Sequence, residues 1–202
     1  MKSMSVREAI LARRSIRKFQ PVPLTDDEVT ALLDAARLAA SSMNSQPWRF
    51  KVLRDPETIA WIGDEGSRKQ RWPGRAPAIL VCCVDISRYL ADSKATVKFL
   101  EDSGALPPEM LANVKGYLKD WDVAPRERIR ASAAVSCAIG VTQIMLQAVE
   151  LGLGTCWMGM FDEAAIKERL GLPAHLEVIA LLAVGRPAED PAPRPRKTLE
   201  EI

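Results

Sequence analysis

Ala39-Ala40-Ser41-Ser42-Met43-Asn44-Ser45-Gln46-Pro47-Trp48 stands where a strong amphipathic helix gives way to a strand. Upstream, Thr25-Asp26-Asp27-Glu28 is a capping box, and Val29, Leu32, Leu33, Ala36 and Ala40 recur behind it at helical spacing. Downstream, residues 48–53 alternate as a short strand does. The junction carries Ser41, Ser42, Asn44 and Gln46, whose hydroxyls and amides can read the edge of a flat heterocycle. Taken alone, the decapeptide serves equally well as a polar loop ending a helix.

Working outward, Ser5-Val6-Arg7-Glu8 is another capping box and predicts a first helix to about Arg14. Residues 15–20, closed by Pro21 and Pro23, must be extended. Asp55-Pro56 opens a short helix, and the apolar run 78–84 after Pro77 reads as a buried strand. Residues 86–130 are the least patterned, with helical pieces at 96–100 and 110–121 separated by Gly104 and Pro107-Pro108. A long helix over about 125–151 ends at Gly152. A strand or extended turn at 154–161, a helix capped by Asp162 and running to Leu170, and a strong strand at 178–184 follow. Pro187, Pro191, Pro193 and Pro195 then impose an extended arm over about 186–202. No repeat or linker divides the 202 residues, so one domain is expected. The elements do not alternate regularly, which predicts an α+β layered fold rather than a doubly wound sheet.

The 28 basic and 26 acidic residues are spread along the chain and give a net charge of only +2. That leaves no global field for nucleic acid or an anionic membrane, so an anion site must be local. The uncharged stretch 131–149 carries Ser132, Ser136, Thr142, Gln143 and Gln147 and reads as a buried core helix rather than a membrane span. The start of the chain, 1–5, is polar and shows no signal segment. Cys82, Cys83, Cys137 and Cys156 form no Cys-x-x-Cys pair, which fits reduced, buried thiols in a cytoplasm.

Three further segments can carry chemistry. In the extended stretch Arg13-Arg14-Ser15-Ile16-Arg17, alternate residues share a face, so Arg13, Ser15 and Arg17 offer two guanidinium groups around a hydroxyl. That is a receptor for phosphate or, equally on its own terms, a solvated basic turn. Gly152-Leu153-Gly154-Thr155-Cys156-Trp157-Met158-Gly159-Met160-Phe161 permits close backbone approach and could wall an apolar ring pocket, or form a tight turn around a core tryptophan. Arg194-Pro195-Arg196-Lys197 holds three cations on a stiff arm, a pattern also found in solubilising tails. His175 is the only histidine, and there is no G-x-G-x-x-G, Walker-type loop or metal-spaced cluster, so no Ser-His-Asp, Cys-His or metal mechanism can be assembled. Chemistry here has to come from a bound organic cofactor.

In this order and spacing the four segments resemble the nitroreductase family of FMN-dependent oxidoreductases. The likeness covers nearly the whole chain apart from about 86–130. It implies a central, mostly antiparallel sheet flanked by helices, and an intertwined homodimer with two FMN sites shared between subunits. The C-terminal arm would cross to the partner. By motif, Arg13, Arg14, Ser15 and Arg17 become cofactor-binding candidates together with Arg196 and Lys197. Ser15, Arg196 and Lys197 would serve the phosphate, and Arg17 the pyrimidine edge of the flavin. From the other subunit Ser41, Ser42, Asn44 and Gln46 would meet the ribityl chain and ring, and the backbone of Met158 and Gly159 would approach the ring's central nitrogen. Two departures stand out: Ala40 where relatives often carry proline, and no clear counterpart for mid-chain polar residues that help hold the flavin in some members.

The resemblance implies electron transfer from NAD(P)H to a nitro-, quinone-like or other electrophilic acceptor in two alternating half-reactions, with no side chain needed as general acid. Small residues on the long helix (Ala131, Ala133, Ala134, Ala138 and Gly140) would suit a central dimer helix or tight packing within one chain. Other chemistry on the same scaffold (reductive dehalogenation, azoline oxidation, flavin breakdown) and a non-catalytic flavin carrier are competing readings. A nucleic-acid module is disfavoured by the 5% aromatic content.

Overall fold

A computed structural model describes residues 4–202; the polar residues 1–3 lie outside the described part. Both capping boxes form as the sequence predicts. Ser5 Oγ accepts the Glu8 N–H while the Glu8 carboxylate accepts the Ser5 N–H, starting α1 (Val6–Ala12). Thr25 and Glu28 do the same for α2 (Asp26–Arg37). Each box satisfies two donors that the first helical turn would otherwise leave unpaired.

Four strands follow: β1 (Trp48–Leu53), β2 (Ala78–Asp85), β3 (Gly154–Met158) and β4 (Leu176–Gly185). They make one antiparallel sheet in the order β1-β2-β4-β3. Every residue of β2 is buried, because both faces of the sheet are covered. Leu80, Cys82, Val84, Leu182 and Val184 point to the layer formed by α2 and the long helix α6 (Arg126–Glu150). Ile79, Val81, Cys83, Leu181 and Ala183 point the other way, to Ile59 of α3 (Pro56–Trp61) and Ile166 of α7 (Glu163–Arg169). Wholly buried side chains such as Leu32, Ile144 and Leu181 each contribute about 1.5–3 kcal/mol by leaving water. The expected α+β layering is thus present.

Helix α6 is long and apolar enough to cross a membrane, but it lies in the fold with Ala133, Cys137, Val141, Ile144 and Ala148 fully buried. Its small residues divide between two roles. Gly140 is buried against α2, where an added Cβ would lie in ordinary contact with Ala36 Cβ at 3.6 Å, while Ala131, Val135 and Ile139 face outward.

The sequence predicts helix only at 96–100 in the region 86–102, whereas α4 spans Tyr89–Asp102. Its first turn has no side-chain cap, so nothing in the sequence marks where it begins. The next helix, α5 (Pro108–Asp122), starts on a proline and packs against α4. Between α3 and β2 lie a π-type turn at Ile62–Gly66 and a 3-10 turn at Trp72–Arg75, neither of which the sequence signals.

Candidate functional site

Residues 15–20 are extended, as the two prolines require, and lie along the open edge of β3. Ser15 bridges Thr155 in parallel, and the Ile16 N–H donates to the Thr155 carbonyl at 2.9 Å. Ile16 is buried while Ser15 and Arg17 stay exposed, so the alternation read from the sequence holds over 15–17 but not at Arg13 and Arg14, both half-buried. Gly154 makes this docking possible, since a Cβ there would sit 2.6 Å from Ile16 Cγ1.

The start of the C-terminal arm pairs with the same stretch. Gln20 N–H donates to the Arg186 carbonyl, Ala188 N–H donates to the Lys18 carbonyl, and Phe19 bridges Pro187 antiparallel. Glu189 completes the clamp. One of its carboxylate oxygens accepts the main-chain N–H of Arg17 at 2.6 Å and that of Lys18 at 3.1 Å. The two ends of the chain are thereby laid side by side.

Between them opens a cleft of about 520 Å³, within the usual range for small-molecule sites. Arg13, Arg14, Ser15 and Arg17 line one side, and Arg194 and Arg196 the other. Five guanidinium groups therefore border it, with no carboxylate among its lining residues. Arg14 Nη1 already donates to the carbonyls of Leu11 and Arg13, so it is the least free of the five. Arg194 was not singled out for the site by the sequence, although it sits in the basic tail motif; Lys197 does not line the cleft.

β3 runs beside the stretch that carries Ser15 and Arg17. Burial raises the Cys156 thiol above its ordinary value, an effect opposed by a hydrogen bond with Ser15 and by the Arg17 and Arg13 charges. Met158 is 3% exposed and packs in the core with Ile166 and Leu181, and a side chain at Gly159 would meet nothing nearer than Trp157 Nε1 at 3.8 Å. The Arg17 guanidinium lies 5.9 Å from the centre of the Trp72 ring, within cation–π range. Gln70 Nε2 donates to the Met160 carbonyl at 2.8 Å. Trp72 and Gln70 thus join two site segments, yet no sequence motif marks them.

The junction loop is held in an uncommon backbone shape. Met43, Asn44 and Gln46 have φ of 50°, 48° and 43°, a left-handed region that residues other than glycine adopt rarely. Ser41 Oγ accepts the Gln46 N–H at 3.1 Å, and Ser42 N–H donates to Ser136 Oγ at 3.3 Å. Asn44 and Gln46 are exposed, with their side-chain amides 3.2 Å apart. Such strain, over-determined by surrounding bonds, is characteristic of functional loops. Within one chain, however, none of Ser41, Ser42, Asn44 and Gln46 lines the arginine cleft. The structure therefore unites Arg13, Arg14, Ser15, Arg17 and Arg196 around one cleft, while Met158, Gly159 and the junction loop do not line it within one chain.

Residues 10–186 match the Nitroreductase family. The chain belongs to that family. It is 31% identical over 199 residues to an NADH dehydrogenase of Thermus thermophilus, a match covering 98% of this chain and 95% of the relative. Among solved structures, a candidate nitroreductase from Exiguobacterium sibiricum in complex with FMN superposes with a TM-score of 0.82 at 24% identity, covering 100% of this chain and 97% of the other. The NADPH:FMN oxidoreductase of Vibrio harveyi, complexed with NAD+, superposes with a TM-score of 0.75 at 25% identity, over 96% of this chain and 74% of the other. This membership accords with the resemblance drawn from the four sequence segments.

Proposed function

We propose that the chain is an FMN-dependent oxidoreductase that draws electrons from NAD(P)H and delivers them to nitroaromatic, quinone or similar electrophilic acceptors. The observation that carries the reading is the carboxylate-free cleft where arginines from both chain ends converge. A phosphate monoester suits this donor set, because its dianion can take paired guanidinium contacts and the Ser15 hydroxyl. The FMN of the Exiguobacterium complex and the printed activity of the Vibrio enzyme support the same assignment.

In this reading Arg13, Ser15, Arg194 and Arg196 hold the phosphate, with Arg14 behind them, and Lys197, outside the cleft, adds only its charge. Arg17, placed by the Glu189 clamp and Trp72, meets the pyrimidine edge of the ring. The backbone of Met158 and Gly159 approaches the ring's centre. When bound, FMN supplies the two-electron chemistry that no side chain here can perform. The protein's part is position and charge: the Arg17 guanidinium would offset negative charge at the pyrimidine edge, and the surrounding walls would leave one face open to donor and acceptor alternately. Donor and acceptor use the same face in turn, which gives a ping-pong pattern.

The junction loop enters through a second copy of the chain. Two features support a homodimer: the surface position of Ser42, Asn44 and Gln46, and the exposed apolar side chains Val6, Ile10, Leu11, Val135 and Ile139 on the neighbouring helices α1 and α6. The arm, about 186–202, reaches onto the partner beyond its anchored start, and 1–202 acts as one domain. The four free cysteines are all buried, which supports a reducing, cytoplasmic location.

The test is turnover. Purified protein should be yellow, release FMN on denaturation, and oxidise NADPH or NADH with a quinone or nitroaromatic acceptor in parallel-line, ping-pong kinetics. A flavin-bearing protein that oxidises neither donor would refute the enzymatic assignment.

A further inference from the structure

Residues 67–72 form a loop at the end of the site where Arg17 meets Trp72. Its backbone is left-handed at Arg68 (φ 52°), Lys69 (φ 62°) and Arg71 (φ 61°), three residues among four, none of them glycine or asparagine. The shape is enforced from several sides. Gln70 Nε2 donates to the Ser67 carbonyl at 3.1 Å and the Met160 carbonyl at 2.8 Å. The Arg71 N–H donates to the Gly63 carbonyl at 2.9 Å, and Gly63 lies so close to Gly74 that a Cβ would come within 2.7 Å of its nitrogen.

This tightly held turn presents its three cations to solvent. Arg68, Lys69 and Arg71 are exposed, and among the described residues none of the three makes an ion pair. Three like charges on one short, exposed loop repel each other weakly, and a bound anion would relieve that repulsion. The arginines of the cleft are taken up by the flavin phosphate in the reading above. The loop lies by Arg17 and Met160, where the flavin reading puts the ring rather than the phosphate. A donor whose nicotinamide reaches the ring must extend its remaining half across a rim, and this rim is cationic.

We propose that Arg68, Lys69 and Arg71 receive the 2′-phosphate of the donor's adenosine ribose, so that the enzyme selects NADPH over NADH. The inference rests on the flavin reading of the neighbouring cleft. NADPH and NADH differ only by that phosphate, which adds about −1.5 to −2 charge at pH 7. Electrostatic selection by exposed cations is modest and salt-sensitive.

The experiment uses FMN-loaded protein and a variant carrying Arg68→Asn, Lys69→Asn and Arg71→Asn together, because asparagine tolerates left-handed backbone and the fold is thereby spared. Two readouts are taken. The first is the ratio of kcat/KM for NADPH to that for NADH. The second, independent of turnover, is calorimetric binding of adenosine 2′,5′-bisphosphate against adenosine 5′-monophosphate. The parent should favour the 2′-phosphorylated compound in both by about tenfold, equivalent to about 1.4 kcal/mol, and the variant should lose most of that preference. Raising salt on the parent should shrink it in the same direction. A yellow, active parent with no preference, or a variant that keeps the parent's ratio, overturns this inference alone. A protein that cannot be loaded with flavin overturns the flavin reading and this inference with it.

Discussion

Replacing Glu189 with alanine deletes the oxygen that accepts the main-chain N–H groups of Arg17 and Lys18, at 2.6 and 3.1 Å. Hydrogen bonds to a charged group contribute about 1.5–3 kcal/mol each when shielded from water. Glu189 is only half-buried, and the amides of two exposed residues can turn to water once it is gone, so the net loss should be nearer 1–2 kcal/mol in total. For a chain of this size that lowers the melting temperature by about 3–6 °C. Glu189→Gln separates two effects. It keeps an oxygen acceptor but removes a negative charge beside the arginine cleft. The glutamine variant should therefore lose less than half as much stability and bind an anion in the cleft at least as well as the parent. The alanine variant should bind it less well, because the arm carrying Arg194 and Arg196 is no longer tied to Arg17. Differential scanning fluorimetry gives the stability, and the rate of tryptic cleavage after Arg196 and Lys197 reports arm release. An alanine variant that melts with the parent and resists trypsin equally would refute the clamp.

Three other expectations follow from the geometry. Gly154→Ala forces a methyl group to 2.6 Å from Ile16 Cγ1 and should cost about 1–3 kcal/mol in urea unfolding, whereas Gly116→Ala, in open space on a helix, should stabilise by about 0.5–1 kcal/mol. Burial would raise the pKa of Asp85, but hydrogen bonds from the Ser87 hydroxyl and the Arg88 N–H, with help from Arg49 and His175, hold it below the ordinary value of 3.8. A depressed carboxylate stabilises the fold above its unfolded pKa and loses that contribution as pH falls through its folded one, so the stability gap between parent and Asp85→Asn should narrow below about pH 4 and stay constant at neutral pH. Arg17→Ala should lower the two-electron potential of bound flavin by on the order of 50 mV in spectroelectrochemical titration, and an unchanged potential would remove Arg17 from the ring's edge.

The legible parts of this chain were those with local causes. Ser5 with Glu8 and Thr25 with Glu28 each set a helix start through bonds spanning three residues, and both form. The stretch before Pro21 and Pro23 is extended as the sequence predicts, but the alternation fails at Arg14, which lines the same cleft as Arg13, Ser15 and Arg17. The start of α4 was illegible because Arg88 supplies no capping bond. The loop at 67–72 was illegible for a related reason: arginine and lysine carry no preference for left-handed backbone, and its shape comes from Gly63, Gly74 and Met160, distant in sequence. Glu189 was hidden among prolines, since its partners lie 172 and 171 residues away. The junction loop could be recognised from its polar residues, but its strain at Met43, Asn44 and Gln46 is visible only in three dimensions.

Comparing FMN with riboflavin by calorimetry on flavin-stripped protein addresses the arginine cleft directly, because the two ligands share the ring and ribityl chain and differ only in the phosphate. Convergent arginines predict FMN binding at least about 100-fold tighter than riboflavin, an advantage that shrinks by about tenfold or more in a variant combining Arg13→Ala with Arg196→Ala. Equal affinity for the two ligands, or an FMN advantage untouched by the double replacement, would contradict it.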